Sequence, residues 1–199
     1  MDLMEMLTRQ LGQDGIRQVS DRVGADSDAT AKVISAALPV LVGALAKNSA
    51  SADGASALAG ALERDHDGSI LEDVGGFLGR ARGNAGQDIL NHVLGGRQQT
   101  TESALGQMAG LDPSKVGMIL QLLAPLVLGA LGKQKREAGL SADDLGAMLG
   151  RERRQVERRA PEAGDLLTNL LDRDGDGSAL DDIAQMGAGL LGSLFGGKR

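Results

Sequence analysis

The uncharged stretch Val116-Gly-Met-Ile-Leu-Gln-Leu-Leu-Ala-Pro125-Leu-Val-Leu-Gly-Ala-Leu-Gly132 decides the fold of this chain. Asp112 before it is a typical N-cap residue and Pro113 suits the first helical position, so a helix is predicted to begin there. Pro125 removes one backbone hydrogen bond and is expected to kink the helix. The run is at the lower length limit for crossing a bilayer, and Gln121 with Pro125 favours a buried core helix.

An earlier part of the chain repeats this stretch. Residues 24–47 align without a gap with residues 110–133, and Val33 to Ala46 is the earlier apolar helix. The shared residues are Pro39, Gly43, Ala44, Leu45 and Lys47, which recur as Pro125, Gly129, Ala130, Leu131 and Lys133. A short helix is predicted after each copy, because Ala55, Leu58, Ala59 and Leu62, and later Leu145, Met148 and Leu149, fall on one helical face.

Composition agrees with helices. Aromatic residues make up 1% of the chain and there are 30 glycines, which suits closely packed helices joined by short turns. We therefore predict an all-α multihelical bundle of two sequence-related halves, residues 1–97 and 98–199, packed as one unit around kinked central apolar helices. Gly95 to Ser103 is the candidate linker between the halves.

Net charge and cysteine content exclude several classes of function. The charge of −6 argues against a general attraction to nucleic acid or anionic lipid. Without cysteine there is no disulfide framework, thiolate nucleophile or cysteine zinc site. The N-terminus is acidic and lacks the long apolar run of a secretory signal, which indicates a cytoplasmic protein.

Two carboxylate-rich loops occur at corresponding places. The second acidic loop, residues 172–182, carries oxygen ligands at alternate positions before a glycine, as an EF-hand calcium loop does. Its predicted ligands are Asp172, Asp174, Asp176, the carbonyl of Ser178, and Asp182. The first acidic loop, residues 63–73, has Glu63, Asp65, Asp67, Ser69 and Asp73 in the same places. Calcium is the cation that this spacing indicates, since crowded carboxylates repel one another unless a cation neutralises them.

Both loops depart from the EF-hand pattern, and helix capping is the alternative interpretation. Ile183 stands where a bidentate Glu normally completes the calcium shell, and Glu63 with His66 makes the first loop less favourable. Ser69 followed by Glu72 fits a capping box, and Ser178 fits an N-cap. Capping alone leaves the remaining carboxylates of each loop unexplained.

Other candidate sites are weaker. The two histidines, His66 and His92, lie far apart in sequence and in no recognisable catalytic pattern, so they are expected at the surface and an enzyme is not predicted. Residues 141–150 fit a short helix and a turn, and Arg151–Arg159 fits a basic helix that follows them. This basic helix would either bind nucleic acid or be a solvated surface helix. The apolar residues 186–197 suit self-association, a peripheral surface or a last core helix.

Three stretches of the first half resemble the YidB-like bacterial proteins of unknown function. They are Leu38-Pro39-Val-Leu-Val-Gly43-Ala44-Leu45-Ala-Lys47-Asn48, Gly54-Ala55-Ser-Ala57-Leu58, and Glu63-Arg-Asp65-His66-Asp67-Gly68-Ser69-Ile70-Leu71-Glu72-Asp73. The resemblance implies a multihelical bundle of longer helices surrounded by shorter ones, and it implies no activity.

The sequence thus predicts a non-catalytic scaffold or interaction protein with calcium-binding acidic loops, whose partner is another protein or a second copy of the chain. The alternative is a nucleic-acid-associated protein that uses Arg151–Arg159. A membrane-associated role comes third, and integral insertion into a membrane is not expected.

Overall fold

The computed structural model describes residues 3–80 and 85–159, and in that part of the chain it contains eight α-helices, two short 3-10 turns and no strand. The helices are α1 (Leu3–Val23), α2 (Ser27–Asn48), α3 (Ala52–Asp65), α4 (Val74–Arg80), α5 (Ala85–Val93), α6 (Gln98–Ala109), α7 (Pro113–Ala138) and α8 (Ala142–Arg159). The 3-10 turns are Ser69–Asp73 and Gly95–Arg97. The predicted all-α class is confirmed.

Helix α7 begins where its sequence predicts. The Asp112 carboxylate accepts a hydrogen bond from the backbone amide of Ser114 at 2.8 Å, and Pro113 follows it as the first helical residue. This arrangement satisfies one of the amides that a helix start leaves without a partner. Asp26 caps the start of α2 in the same way, through the amides of Asp28 and Ala29.

Helix α7 lies at the centre of the bundle. It contacts α1, α2, α3, α5 and α6, while α8 packs on α2 and α3. The side chains of Ile119, Leu120 and Leu123 are fully buried, because nearly every face of this helix meets a neighbour. The predicted faces of the short helices are confirmed as well, since Ala55, Ala59 and Leu62 of α3 and Leu145, Met148 and Leu149 of α8 are buried.

Both apolar helices continue through their prolines, Pro39 in α2 and Pro125 in α7. The kinks predicted at these residues stay a prediction. The division into two equivalent halves also stays a prediction, because the second acidic loop, which would correspond to residues 63–73, lies outside the described residues.

The predicted linker, Gly95–Ser103, is helical and not irregular, and the division of the chain into residues 1–97 and 98–199 stays a prediction. A 3-10 turn leads directly into α6 at Gln98. Gln98 donates to the Glu102 carboxylate one turn later at 2.7 Å, a pairing that supports a helix, and Thr101 is fully buried. Packing against α2 and α7 therefore overrides the polar, turn-like composition.

Two helices, α2 and α7, are long and apolar enough to span a membrane. In the bundle 72% of the apolar window of α2 and 83% of that of α7 are buried against other parts of the protein. Burial of this extent is what the core helices of a bundle show, and it agrees with the expectation drawn from Gln121 and Pro125.

Candidate functional site

The first acidic loop packs backbone to backbone against α7. A side chain at Gly132 would overlap the carbonyl oxygen of His66, and one at Gly129 would overlap the side chain of Ile70. Gly68 in the loop has a φ of 97°, and a Cβ there would lie 2.6 Å from the Cβ of Lys133. Three glycines therefore let the loop approach the helix closely, and one of them also has a backbone conformation that L side chains rarely adopt.

Two carboxylates of this loop are engaged by the last turns of α7. Glu63 accepts a hydrogen bond from Lys135 at 2.5 Å, and that contact lowers the pKa of the Glu63 carboxyl. Asp67 lies 3.8 Å from Arg136. The positive charge that crowded carboxylates require is thus supplied by the chain itself.

The remaining polar groups of the loop have other roles. Asp67 accepts from the amide of Ser69 at 3.0 Å, which is the main reason that the pKa of its carboxyl is lowered. Asp73 accepts from the amide of Gly76 at 2.7 Å and so caps the start of α4, with Arg80 also donating to it. The amide of Gly76 is the first cause of the lowered pKa of Asp73.

The structure therefore corrects one expectation for this loop. The capping box predicted from Ser69 and Glu72 is absent, because Gly68 precedes a 3-10 turn without a side-chain cap and Asp73 does the capping instead. Calcium binding by the first acidic loop stays a prediction from sequence spacing. Within residues 3–80 and 85–159, no three His, Asp or Glu side chains are placed to hold a metal ion. The predicted ligands of this loop were Glu63, Asp65, Asp67, Ser69 and Asp73.

The second acidic loop lies outside the described residues. Calcium binding there stays a prediction from sequence spacing. Its predicted ligands are Asp172, Asp174, Asp176, Ser178 and Asp182.

A second feature is an apolar pocket of about 500 Å³ between α2, α3, α5 and α7. Its apolar surface comes from small and branched aliphatic side chains, and polar groups stand among them: Asn48, Asp65, His66, Asp88 and His92. The aliphatic lining residues are Leu45, Ala57, Leu58, Ala61, Ile89, Val93 and Leu128. A largely apolar cavity of this size with a few convergent polar groups is the usual form of a ligand site.

Contacts at the ends of the helices fix the walls of this pocket. The side-chain amide of Asn48 at the end of α2 donates to the carbonyls of His92 and Val93, at 3.1 Å each, and so holds the end of α5. Gly54 lets the start of α3 approach the end of α2, since a Cβ at this position would overlap the carbonyl oxygen of Asn48. Asn48 of α2 thus contacts both the start of α3 and the end of α5, which form two walls of the pocket.

Both histidines line this pocket, although they were expected to be unrelated surface residues. His66 ends α3 and is partly buried, and burial is the main reason that the pKa of its imidazole is lowered. His92 is exposed, and its Nδ1 lies 2.8 Å from the carbonyl oxygen of Asp88. Because a carbonyl only accepts hydrogen bonds, Nδ1 of His92 carries a proton and donates it to this contact. No local sequence pattern pairs these residues, and only the fold places α3 and α5 on the same pocket.

The polar part of the pocket lining consists of carboxylate, imidazole and amide groups. The imidazoles could accept a proton, but no serine, threonine, cysteine, lysine or tyrosine is among the residues that line the pocket. The carboxylates of Asp65 and Asp88 give the pocket a negative border.

The predicted turn within residues 141–159 is wrong, because α8 is one continuous helix from Ala142 to Arg159. Gly150 lies inside it, directly after the buried Leu149, and the packing of this face on α2 and α3 holds the helix together. Arg151 and Arg154 are exposed and line a separate cavity of about 410 Å³ beside the start of α3.

The described part of the chain is thus an all-α bundle with an apolar pocket in one side. The chain belongs to the bacterial proteins of unknown function DUF937, whose family profile matches residues 5–134. The resemblance to YidB-like proteins is consistent with this family. No curated protein and no solved structure matches the chain.

The matched range contains every residue that lines the apolar pocket, from Leu45 to Leu128. The three stretches that carry the YidB-like resemblance all contribute to the lining. They supply Leu45 and Asn48, then Gly54, Ala57 and Leu58, and finally Asp65 and His66. The second acidic loop lies beyond the matched range.

Proposed function

We propose that this protein is a non-catalytic interaction protein that holds an apolar segment of a protein partner in the pocket between α2, α3, α5 and α7. The pocket itself is the observation that carries the proposal. When an apolar segment enters the pocket, its surface and the aliphatic lining are both removed from water, which stabilises the complex. Helical segments with an apolar face are the usual occupants of such grooves between helices.

The border of the pocket indicates the charge of the partner segment. Asp65 and Asp88 stand beside the aliphatic lining, and the lowered pKa of His66 keeps that imidazole neutral near pH 7. A segment with Lys or Arg next to its apolar face therefore matches the site, and an acidic one is repelled.

The proposal is tested with Nile red, an uncharged apolar dye. Ala57 lines the pocket, whereas its neighbour Ser56 is exposed and does not line it. We expect dye fluorescence to rise with the wild-type chain and with Ser56→Glu, and to be lost in Ala57→Glu, because a carboxylate then enters the apolar lining. Equal dye binding by Ala57→Glu and Ser56→Glu would exclude the pocket as the site.

Calcium binding by the second acidic loop is a further part of the proposal. It rests on the alternate oxygen ligands at Asp172, Asp174 and Asp176 before Gly177. We expect calcium, but not magnesium, to raise the melting temperature of the wild-type chain, and Asp174→Ala to remove the effect. Unchanged melting with calcium and with a chelator would reject this part alone.

Nucleic-acid association through Arg151–Arg159 is the alternative function. The exposure of Arg151, Arg154 and Arg158 on one continuous helix supports it, and the net charge of −6 opposes it. Unchanged mobility of duplex DNA at low salt in the presence of the protein would reject it.

A further inference from the structure

We infer that the pocket is filled in the free protein by the C-terminal segment of the same chain, Leu190-Leu-Gly-Ser-Leu194-Phe195-Gly-Gly-Lys198-Arg199. This inference rests on the proposed function, because it names an internal competitor for the partner segment. A partner then binds only by displacing the C-terminal segment.

The sequence of this segment has the chemistry that the pocket selects. Leu190, Leu191, Leu194 and Phe195 are spaced to fall on one face of a helix, and two basic residues follow them. An apolar face of this kind suits the aliphatic lining. Lys198 and Arg199 match the negative border formed by Asp65 and Asp88.

The connecting chain is long enough to reach the pocket. Residues 160–189 separate the end of α8 from Leu190. Even if all of them were helical, they would span roughly 45 Å at ~1.5 Å per residue. A bundle of this size has a radius of gyration of about 15 Å, so its surface is within reach at any point.

Attachment to the same chain makes a weak contact sufficient. A tethered segment acts at an effective concentration in the millimolar range. A segment with an intrinsic dissociation constant below about 1 mM therefore occupies the pocket most of the time. A free partner at micromolar concentration must bind correspondingly more tightly.

The absence of cysteine from the chain permits a direct test by paired substitution. In the full-length protein, Ala57→Cys is combined with Leu194→Cys, and Ser56→Cys with Leu194→Cys is the matched control on the same helix. A disulfide forms only when the two Cα atoms come within about 7 Å. Under mild oxidation we expect an intramolecular disulfide in the first pair, seen as faster migration and a monomer mass, at a rate at least tenfold above that of the control.

Two results of the oxidation experiment would overturn the inference. Equal rates for the two pairs would show that the segment does not favour the pocket, and a disulfide-linked dimer of the first pair would place a second copy there. Nile red binding distinguishes failure of this inference from failure of the proposed function. Phe195→Asp is expected to raise dye affinity several-fold if the segment competes with the dye; unchanged affinity, still lost in Ala57→Glu, would end the inference and leave the proposed function standing.

Discussion

Replacing Gly132 by Ala tests whether the first acidic loop is seated on α7. Gly132 lies inside this helix, where Ala is intrinsically preferred by roughly 0.8–1.0 kcal/mol. The new methyl group would overlap the carbonyl oxygen of His66, which is a backbone atom and cannot rotate away. Overpacking typically costs about 1–3 kcal/mol, and a contact with fixed backbone belongs at the upper end of that range.

The net effect is therefore a loss of roughly 2 kcal/mol, because the overlap outweighs the helix preference. For a chain of this length each kcal/mol lowers the melting temperature by about 2–4 °C, so a decrease of roughly 4–8 °C is expected in a thermal unfolding curve followed by far-UV circular dichroism.

Two further glycines calibrate the measurement. Gly129→Ala meets the side chain of Ile70, which can adopt another rotamer, so its melting temperature should fall between those of Gly132→Ala and the wild type. Gly79→Ala in α4 meets no atom within 4 Å and should be neutral or stabilising. A Gly132→Ala variant that melts at or above the wild-type temperature would refute the seating of the loop, since only helix preference would then be acting.

Three other predictions concern single contacts. Asp73→Ala removes the cap of α4 and should lower the midpoint of a denaturant titration, whereas Glu72→Ala beside it should leave the midpoint nearly unchanged. Asn48→Ala removes both hydrogen bonds to the end of α5 and should speed amide hydrogen exchange in α5 before it changes exchange in α7. Burial lowers the pKa of His66, so the unfolded chain binds a proton at this imidazole at a higher pH than the folded chain does. The free energy of unfolding should therefore fall as the pH drops below about 6.5. His66→Gln should flatten that decrease, and an unchanged slope would contradict the assignment.

Local pattern was sufficient for the two apolar helices, α2 and α7, and insufficient for α6, α8 and the site. The apolar runs of α2 and α7 and the cap at Asp112 are set by neighbours along the chain, and those predictions are confirmed. The continuity of α8 through Gly150 depends instead on burial against α2 and α3, which no local signal reports.

The candidate site could not be predicted because its contacts join distant parts of the sequence. Spacing alone shows that the first acidic loop needs positive charge, but Lys135 of α7 is remote from Glu63 along the chain. A calcium ion and a lysine satisfy the same local pattern. In the same way, nothing near His66 indicates that His92 shares its pocket.

The seating of the first acidic loop on α7 combines two contacts with different responses to solution conditions. Dissolved salt weakens the attraction of Glu63 to Lys135 and of Asp67 to Arg136, since these groups are at least partly exposed to ions. The approach of the loop backbone to Gly129 and Gly132 involves no net charge and is indifferent to ionic strength. The loop backbone should therefore keep its position at high salt concentration. Its carboxylates should then exchange partners more readily, so a rigid backbone carries mobile charged side chains at one place on the surface.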